Sequence, residues 1–215
     1  MNLTQAAEQV VEDTNAFRKA HGLDAVRASP ALEAAAREFS RYMARTGNYG
    51  HRADGRGPSE RAAAHGYGYC IVSENIAYQY RSAGFESASA VAQAMVQGWK
   101  QSPEHRANML DRAVTQTGVA IAQGDAGRYF AVQMFGRPKE ASLRFSVQNR
   151  SGEKVEYRAG ERRFTLAPRM SRTHTVCRPL ELAITPPGSR EAFTAQVSGG
   201  ERYTVTSEGV GTNPR

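Results

Sequence analysis

The sequence predicts an α+β protein in which a region of helices and strands precedes a small all-β region. Helical periodicity dominates roughly the first 110 residues, and strand-like alternation replaces it after residue 115. Short alternating runs separated by turn residues then fill residues 140–215. Helices followed by strands are typical of an α+β or layered α-β-α domain. A length of 215 residues allows one large domain, or one medium domain with a smaller one.

Two long amphipathic helices open the chain. The first is predicted over residues 4–20, where apolar side chains recur at helical spacing and Gly22 follows as a stop. The second has Ser29 as its N-cap, Pro30 at its first position and Gly47 beyond its end. Both start and stop signals are local, so they define the second helix closely.

Two further helices and a hairpin complete the N-terminal region. The pattern predicts a short helix over residues 58–66 and a longer one over residues 87–99. The β-like runs at 117–123 and 128–135 are joined by Gly-Asp-Ala-Gly, which predicts a hairpin. Residues 136–141, "GRPKEA", replace the apolar pattern with Gly, Pro and charge, and we expect them to form a linker.

Seven short strand-like runs follow the predicted linker. Turn sequences such as Pro-Pro-Gly and Ser-Gly-Gly separate them. Seven strands in about 75 residues predict a small β-sandwich or barrel. The final residues, "GVGTNPR", are expected to fray. The sequence therefore predicts two domains, residues 1–137 and residues 138–215.

The composition is that of an ordinary globular protein with a basic surface. No run approaches the roughly 18 apolar residues of a membrane span, and "MNLTQAAEQVVED" lacks the basic and apolar regions of a secretory signal. The net charge of +7 favours anionic partners, but no known nucleic-acid-binding motif accompanies it. The β region is the more basic per residue, although arginine is also the prevalent basic residue of the whole chain. Its arginines that cluster in sequence are Arg158, Arg162, Arg163, Arg169, Arg172 and Arg178.

Two cysteines allow two states. Cys70 and Cys177 lie 107 positions apart and show no CxxC or Cys/His metal spacing. They are either two buried thiols or, in an oxidising compartment, one disulfide. The sequence leaves both alternatives open.

Three motifs carry a family resemblance. The segments "NAFRKAHGLDAV", "SENIAYQY" and "WKQSPEHRANML", followed by "TGVAIAQ", occur in this order and spacing within residues 5–137. In this arrangement the chain resembles the bacterial branch of the CAP superfamily, which includes cysteine-rich secretory, antigen 5 and plant pathogenesis-related proteins. The resemblance implies a three-layer α-β-α sandwich with a central cleft, in a secreted or periplasmic protein. Residues 140–215 lie outside it and resemble no family.

The resemblance also implies a set of cleft residues. In that family two histidines and acidic residues line the cleft, and in some members they hold a divalent metal. The matching positions are His51 in "GNYGH", Glu74 in "SENIA" and His105 in "SPEHR". The family's second acid falls at Ser102 here, which leaves Glu104 as a candidate substitute. His51, His105 and Glu74 match the ligand count of an open zinc site, or a histidine and Glu74 act as general acid and base.

Local chemistry separates His105 from its neighbours. Ser102 as a cap, Pro103 at the first helical position and Glu104 in the first turn are explained by a well-made helix start. A cation in the first turn opposes the helix dipole, so His105 is expected to be neutral and able to bind metal or accept a proton. Arg106 is expected to pair with an acid or a carbonyl group.

The other histidines and the tyrosines have structural explanations. His21 and His65 each precede a glycine at a predicted helix end, where a partly charged imidazole suits the negative dipole. His174 is expected on the surface of a strand. Five tyrosines flank the His51 and Glu74 segments, and they either line an amphipathic cleft or pack the loops. They are Tyr49, Tyr67, Tyr69, Tyr78 and Tyr80.

These observations favour binding over catalysis. No serine or cysteine lies in a nucleophile elbow, so covalent catalysis is not expected. The favoured function is an exported, non-enzymatic binding module whose cleft takes zinc, another divalent metal or a small amphipathic ligand. Its basic β domain would then bind an anionic envelope surface. The alternatives are a hydrolase of peptide or cell-wall substrates that uses metal or the Glu/His pair, and a structural protein with a vestigial cleft.

Overall fold

The computed structural model describes residues 1–214, which form two compact units. The first is Met1–Glu140 and the second begins at Ala141. The boundary falls after Glu140 rather than after residue 137. The last strand of the first unit continues through Pro138, and a short 3-10 turn, Lys139–Ala141, follows it. The expected linker is therefore largely ordered strand and turn.

The first unit contains the predicted helices at nearly the predicted positions. They are α1 (Leu3–Ala20), α2 (Pro30–Thr46), α3 (Pro58–Ala64), α4 (Ala88–Gln101) and α5 (Pro103–Met109). The caps of α2 are those expected: Ser29 Oγ accepts from the Leu32 N–H at 3.5 Å, and Gly47 ends the helix at a φ of 72°. Local side-chain chemistry therefore determines where α2 begins and ends.

The sheet of the first unit has the strand order β1-β3-β4-β2. Its strands are β1 (Arg27–Ala28), β2 (Tyr69–Tyr80), β3 (Gln116–Gln123) and β4 (Arg128–Pro138). The predicted hairpin is β3–β4, and β4 also pairs with β2 in antiparallel register. Because β2 pairs with β4 alone, it is an edge strand, and its outer edge faces away from the sheet.

Helices cover both faces of this sheet. On one face, α2 packs Leu32 and Phe39 against Ile76, Phe130 and Val132. On the other, Gln133 Nε2 donates to Thr14 Oγ1 of α1 at 3.0 Å, and the Trp99 indole of α4 donates to the carbonyl oxygen of Ile76 at 3.1 Å. The predicted α-β-α layering is confirmed.

The second unit is a β-sandwich of two four-stranded sheets, ordered β12-β11-β5-β8 and β10-β9-β6-β7. Its strands are β5 (Leu143–Asn149), β6 (Val155–Ala159), β7 (Arg162–Leu166), β8 (Ser171–Val176), β9 (Leu180–Thr185), β10 (Phe193–Val197), β11 (Glu201–Val205) and β12 (Val210–Pro214). Alternate side chains from both sheets, such as Phe145, Tyr157, Leu182 and Tyr203, share one core.

Two expectations for this unit are wrong. Residues 210–214 pair with β11 as β12, so the chain does not fray there; Arg215 lies outside the described residues. His174 is half-buried rather than on the surface, because alternation along β8 turns its ring toward the core. The ring stacks on Phe145 with centroids 4.8 Å apart, and its Nε2 lies 2.8 Å from the Tyr157 hydroxyl. Burial and the charge of Arg172 lower the pKa of His174.

Both cysteines are disulfide-bonded, and the chain contains no others. The bond therefore joins Cys70 to Cys177, which resolves the two alternatives left open by the sequence. A structural disulfide is typical of proteins from oxidising compartments.

Candidate ligand-binding cleft

His51 and His105 are each connected to the middle of β2, His51 through Glu74 and His105 through Asn75. Glu74 and Asn75 are neighbours on β2, so their side chains lie on opposite faces of the sheet. Glu74 accepts a hydrogen bond from His51, in the loop between α2 and α3. Asn75 Nδ2 donates to the carbonyl oxygen of His105, on α5, at 3.0 Å. The two imidazoles are close enough for the charge of His51 to lower the pKa of His105.

Glu74 fixes both the orientation and the tautomer of His51. The Glu74 carboxylate is fully buried and lies 2.8 Å from Nδ1 of His51, whose ring is 49% exposed. Because an ionised carboxylate only accepts, Nδ1 is the donor. In the neutral ring, Nε2 then carries the lone pair and is the nitrogen available to a ligand.

Arg61, on α3, holds this arrangement in place. Its buried guanidinium donates from Nη2 to both oxygens of Glu74 at 2.9 Å and to the carbonyl oxygen of His51 at 2.8 Å. Nη1 donates to Asp54 at 2.8 Å, and the guanidinium carbon lies 3.5 Å from the ring centroid of Phe39. One buried cation thus neutralises Glu74 and fixes the loop that carries His51.

Asp54 joins the loop to the same network. Burial raises the pKa of Asp54, but the hydrogen bond from the Arg56 N–H and the charges of Arg61 and Arg56 outweigh that effect and lower it overall. The Arg56 guanidinium also contacts Asp54 at 3.0 Å and pairs with Glu38 on α2. The loop between α2 and α3 is therefore held at several points, which keeps His51 in one position.

On the opposite face, two asparagines position α5. Asn108 Nδ2 donates to Asn75 Oδ1 at 2.9 Å and to the carbonyl oxygen of Glu74 at 3.3 Å. Burial lowers the pKa of His105, the charge of His51 lowers it further, and Glu104 opposes both. The neutral form of His105 is thus favoured, mainly by desolvation rather than by the helix dipole considered in the sequence.

The neighbours of His105 differ from expectation in detail. Glu104 is exposed and acts on His105 through its charge. Ser102 occupies the N-cap position but its side chain makes no capping hydrogen bond; it also ends α4, and its carbonyl oxygen accepts from the Arg106 N–H at 2.8 Å. Arg106 pairs with an imidazole instead of an acid or carbonyl group. Its Nη2 donates to Nε2 of His21 at 3.0 Å.

His21 and His65 have the structural roles predicted for them. Each forms the C-cap of its helix, α1 and α3 respectively. Nδ1 of His21 lies 2.9 Å from the carbonyl oxygen of Phe17 and must donate to it, which leaves Nε2 to accept from Arg106. His21 therefore bridges α1 and α5.

Four residues of the site were missed by sequence reasoning: Arg61, Asp54, Asn75 and Asn108. One signal for Arg61 was present, since it precedes three alanines in a short helix. A fully buried arginine requires an acidic partner. A buried glutamate in the middle of a strand requires a cation for the same reason. Arg61 and Glu74 satisfy each other in one ion pair.

Comparison with known proteins agrees with this geometry. The model of the cysteine-rich secretory protein family, CAP, matches residues 11–135. The chain belongs to the CAP family. The matched range contains His51, Glu74 and His105 and ends before the second unit, which the family model does not cover. No curated protein matches the chain.

Two solved structures show the CAP fold. An outer surface protein from Borrelia burgdorferi superposes with a TM-score of 0.57 at 16% identity, covering 65% of this chain and 97% of that one. An extracellular SCP-domain protein from Bacillus anthracis gives a TM-score of 0.50 at 26% identity, covering 62% of this chain. This CAP protein spans only 41% of that second chain. Within residues 1–214, no helix is long and apolar enough to cross a membrane.

The lowered pKa of His105 gives a pH prediction. The unfolded chain binds a proton near the ordinary value of 6.5 and the folded chain only at lower pH, so protonation favours unfolding. The contribution of His105 to the free energy of unfolding is therefore complete above about pH 6.5. It is lost as the pH falls through the lower pKa of the folded state. We expect His105→Gln to reduce the decline in unfolding free energy between about pH 7 and 5, measured by urea denaturation. The variant should still show some pH dependence, because the pKa of His174 is also lowered. Identical plots of unfolding free energy against pH for the wild type and His105→Gln would contradict the prediction.

Proposed function

We propose that this CAP protein is an exported binding module whose cleft, at the outer edge of β2, takes a divalent cation or a small amphipathic ligand at His51 and His105. The observation that carries the proposal is the hydrogen bond from His51 Nδ1 to buried Glu74. It leaves the Nε2 lone pair of His51 available to a ligand, and burial lowers the pKa of the second imidazole, His105. The similar outer surface and extracellular proteins support the exported location.

The donor set favours two imidazole ligands rather than the three ligands expected from the sequence. Both oxygens of Glu74 accept from Arg61, and one also accepts from His51. In residues 1–214, no three His, Cys, Asp or Glu side chains are grouped to hold a metal. Glu74 therefore serves to orient His51, as carboxylates behind metal-binding histidines do. A bound zinc ion would supply a Lewis acid, with water completing its coordination.

The same contacts give less support to the hydrolase alternative. A general base must be free to take a proton from water within hydrogen-bond reach. The lone pairs of Glu74 are engaged by Arg61 and His51 inside the protein. Glu104 is exposed in the first turn of α5, where its charge opposes the lowering of the His105 pKa by burial and by His51. Ligand binding at the two histidines, by contrast, requires no general base.

In the second unit, we propose that the segment from β7 to β8 binds an anionic envelope surface. Residues 162–180 contain five arginines and no acidic residue, whereas Arg158 is paired with Glu181. The strands β7 and β8 are each the edge of their sheet, which places the exposed Arg163 and Arg172 at the border of the sandwich. Salt-sensitive sedimentation with phosphatidylglycerol vesicles, lost in Arg163→Gln/Arg172→Gln but not in Arg158→Gln, would support this part.

Calorimetric titration with zinc tests the cleft. We expect the wild type to give a binding isotherm that His51→Ala/His105→Ala abolishes. Glu74→Gln should weaken it by about 10- to 100-fold, because it removes the carboxylate that orients His51. His65→Ala is the control for loss of a histidine outside the proposed ligand pair, since His65 pairs with Glu38 and has no contact with Glu74. Equal heats in the wild type and the double variant would refute metal binding at these histidines.

A further inference from the structure

The sheet of the CAP domain extends beyond the helix that covers it. The final residues of β2 pair with the first residues of β4, Tyr78 with Phe130 and Tyr80 with Arg128. Since α2 ends at Thr46, this stretch of the sheet face has no helix above it. A cavity of about 440 Å³ remains there. It is lined by Gly47, Tyr49, Tyr78, Tyr80, Arg128 and Phe130.

All three tyrosines of this cavity are accessible, and two of them are held by contacts with their neighbours. Tyr49, Tyr78 and Tyr80 are 47%, 52% and 59% exposed. Tyr78 meets Tyr49 edge-to-face with centroids 5.4 Å apart and stacks on Phe130 at 6.1 Å. The Tyr49 hydroxyl donates to the carbonyl oxygen of Ile76 at 3.2 Å. Clustered, exposed aromatic rings of this kind are characteristic of ligand sites.

Arg128 brings a positive charge to the same cavity. Its Nε donates to the carbonyl oxygen of Asp125 at 3.3 Å, in a turn where Ala126 and Gly127 adopt left-handed backbone conformations. Across the described part of the chain, no carboxylate lies within 4.0 Å of the Arg128 nitrogens. An arginine beside aromatic faces, without an acidic partner, suits an anionic group on the ligand.

From these contacts we propose that the cavity binds a sugar ring that carries a carboxylate or phosphate group. The C–H face of the ring packs on Tyr78 and Tyr80, and its anionic group accepts hydrogen bonds from Arg128. A long acyl chain fits less well, because half-exposed walls do not enclose it. The inference goes beyond the proposed function, although Tyr49 lies two residues before His51 and brings the cavity next to the histidine end of the cleft.

Two commercially available sugars make a matched pair of probes. N-acetylmuramic acid and N-acetylglucosamine share their ring and acetamide and differ by a lactyl carboxylate. We expect the acidic sugar to bind more tightly, and Arg128→Gln to weaken it about tenfold while the neutral sugar is unaffected. Tyr78→Ala/Tyr80→Ala should weaken both sugars. Arg150→Gln and Tyr69→Ala, exposed positions outside the cavity, should change neither.

The outcomes separate this inference from the proposed function. Saturable, Arg128-dependent binding of the acidic sugar supports the inference, and unchanged zinc heats in Arg128→Gln show that the two sites are independent. Absence of sugar binding in protein that titrates normally with zinc overturns the sugar inference alone. Sugar binding in protein with no response to zinc overturns the metal proposal alone. Equal Arg128-dependent binding of phenyl phosphate would overturn the choice of a sugar, because an aromatic anion without a sugar ring also stacks on tyrosine.

Discussion

Replacing Arg61 by methionine is expected to lower the free energy of unfolding of this CAP protein by about 3–5 kcal/mol. Methionine keeps much of the volume and the apolar contact with Phe39. It removes the cation that neutralises Glu74, whose side chain has no solvent exposure. A buried carboxylate left with His51 as its main partner then carries most of its desolvation cost uncompensated. Urea denaturation followed by circular dichroism measures the loss.

Two further variants determine whether the cost comes from the unpaired charge. Arg61→Met/Glu74→Gln should recover part of the stability, because the second change removes the buried charge that the first leaves unpaired. Arg56→Gln is the matched control. Its ion pairs with Asp54 and Glu38 are partly exposed, so a loss of about 1 kcal/mol or less is expected. Equal losses for Arg61→Met and Arg56→Gln would contradict the network.

Arg61→Met should also weaken zinc binding. Arg61 Nη2 holds the carbonyl oxygen of His51 as well as the carboxylate that orients its ring. Without both contacts, the His51 loop gains conformational freedom that binding must remove. Zinc titration of Arg61→Met is carried out at a temperature where the variant is folded. It therefore measures the effect of Arg61 on the position of His51 separately from its effect on stability. An isotherm identical to that of the wild type would assign Arg61 to stability alone.

Elements whose signals are local were predictable from the sequence. Ser29, Pro30 and Gly47 each act within one turn of α2, so its limits were correct. The strand β2 was not predicted, because Ser73, Glu74 and Asn75 interrupt its apolar pattern. The strand forms nonetheless, since Glu74 is neutralised by Arg61 on one face and Asn75 is hydrogen-bonded to α5 on the other. Tertiary contacts override the local preference there.

The candidate site was predictable only where family motifs carry it. Resemblance supplied His51, Glu74 and His105, and the structure brings them to one edge of the sheet. Arg61 is separated from Glu74 by 13 positions and belongs to a different element, so no spacing rule connects them. The tyrosine cavity likewise depends on α2 ending before β2 and β4 do. That difference in length appears only when helix and sheet are packed together.

Gly118→Ala is expected to destabilise the CAP domain by about 3 kcal/mol, because overpacking against backbone cannot be relieved by a rotamer change. A Cβ at Gly118 would lie 2.1 Å from the backbone nitrogen of Glu33 and 2.3 Å from the carbonyl carbon of Leu32, in the first turn of α2. Gly98→Ala is the matched control. Gly98 is exposed within α4 with open space around it, so alanine should stabilise by up to about 1 kcal/mol.

Both variants make the same change to the unfolded chain, so the difference between them isolates the contact in the folded state. Opposite signs would establish that α2 begins in direct backbone contact with β3. This contact places α2 over the sheet face to which Glu74 and Tyr78 project; Gly47 then ends the helix, and the tyrosine cavity lies beyond that end. Similar effects for the two variants would contradict the close approach and, with it, the placement of the cavity. Thermal denaturation of both variants beside the wild type provides the measurement.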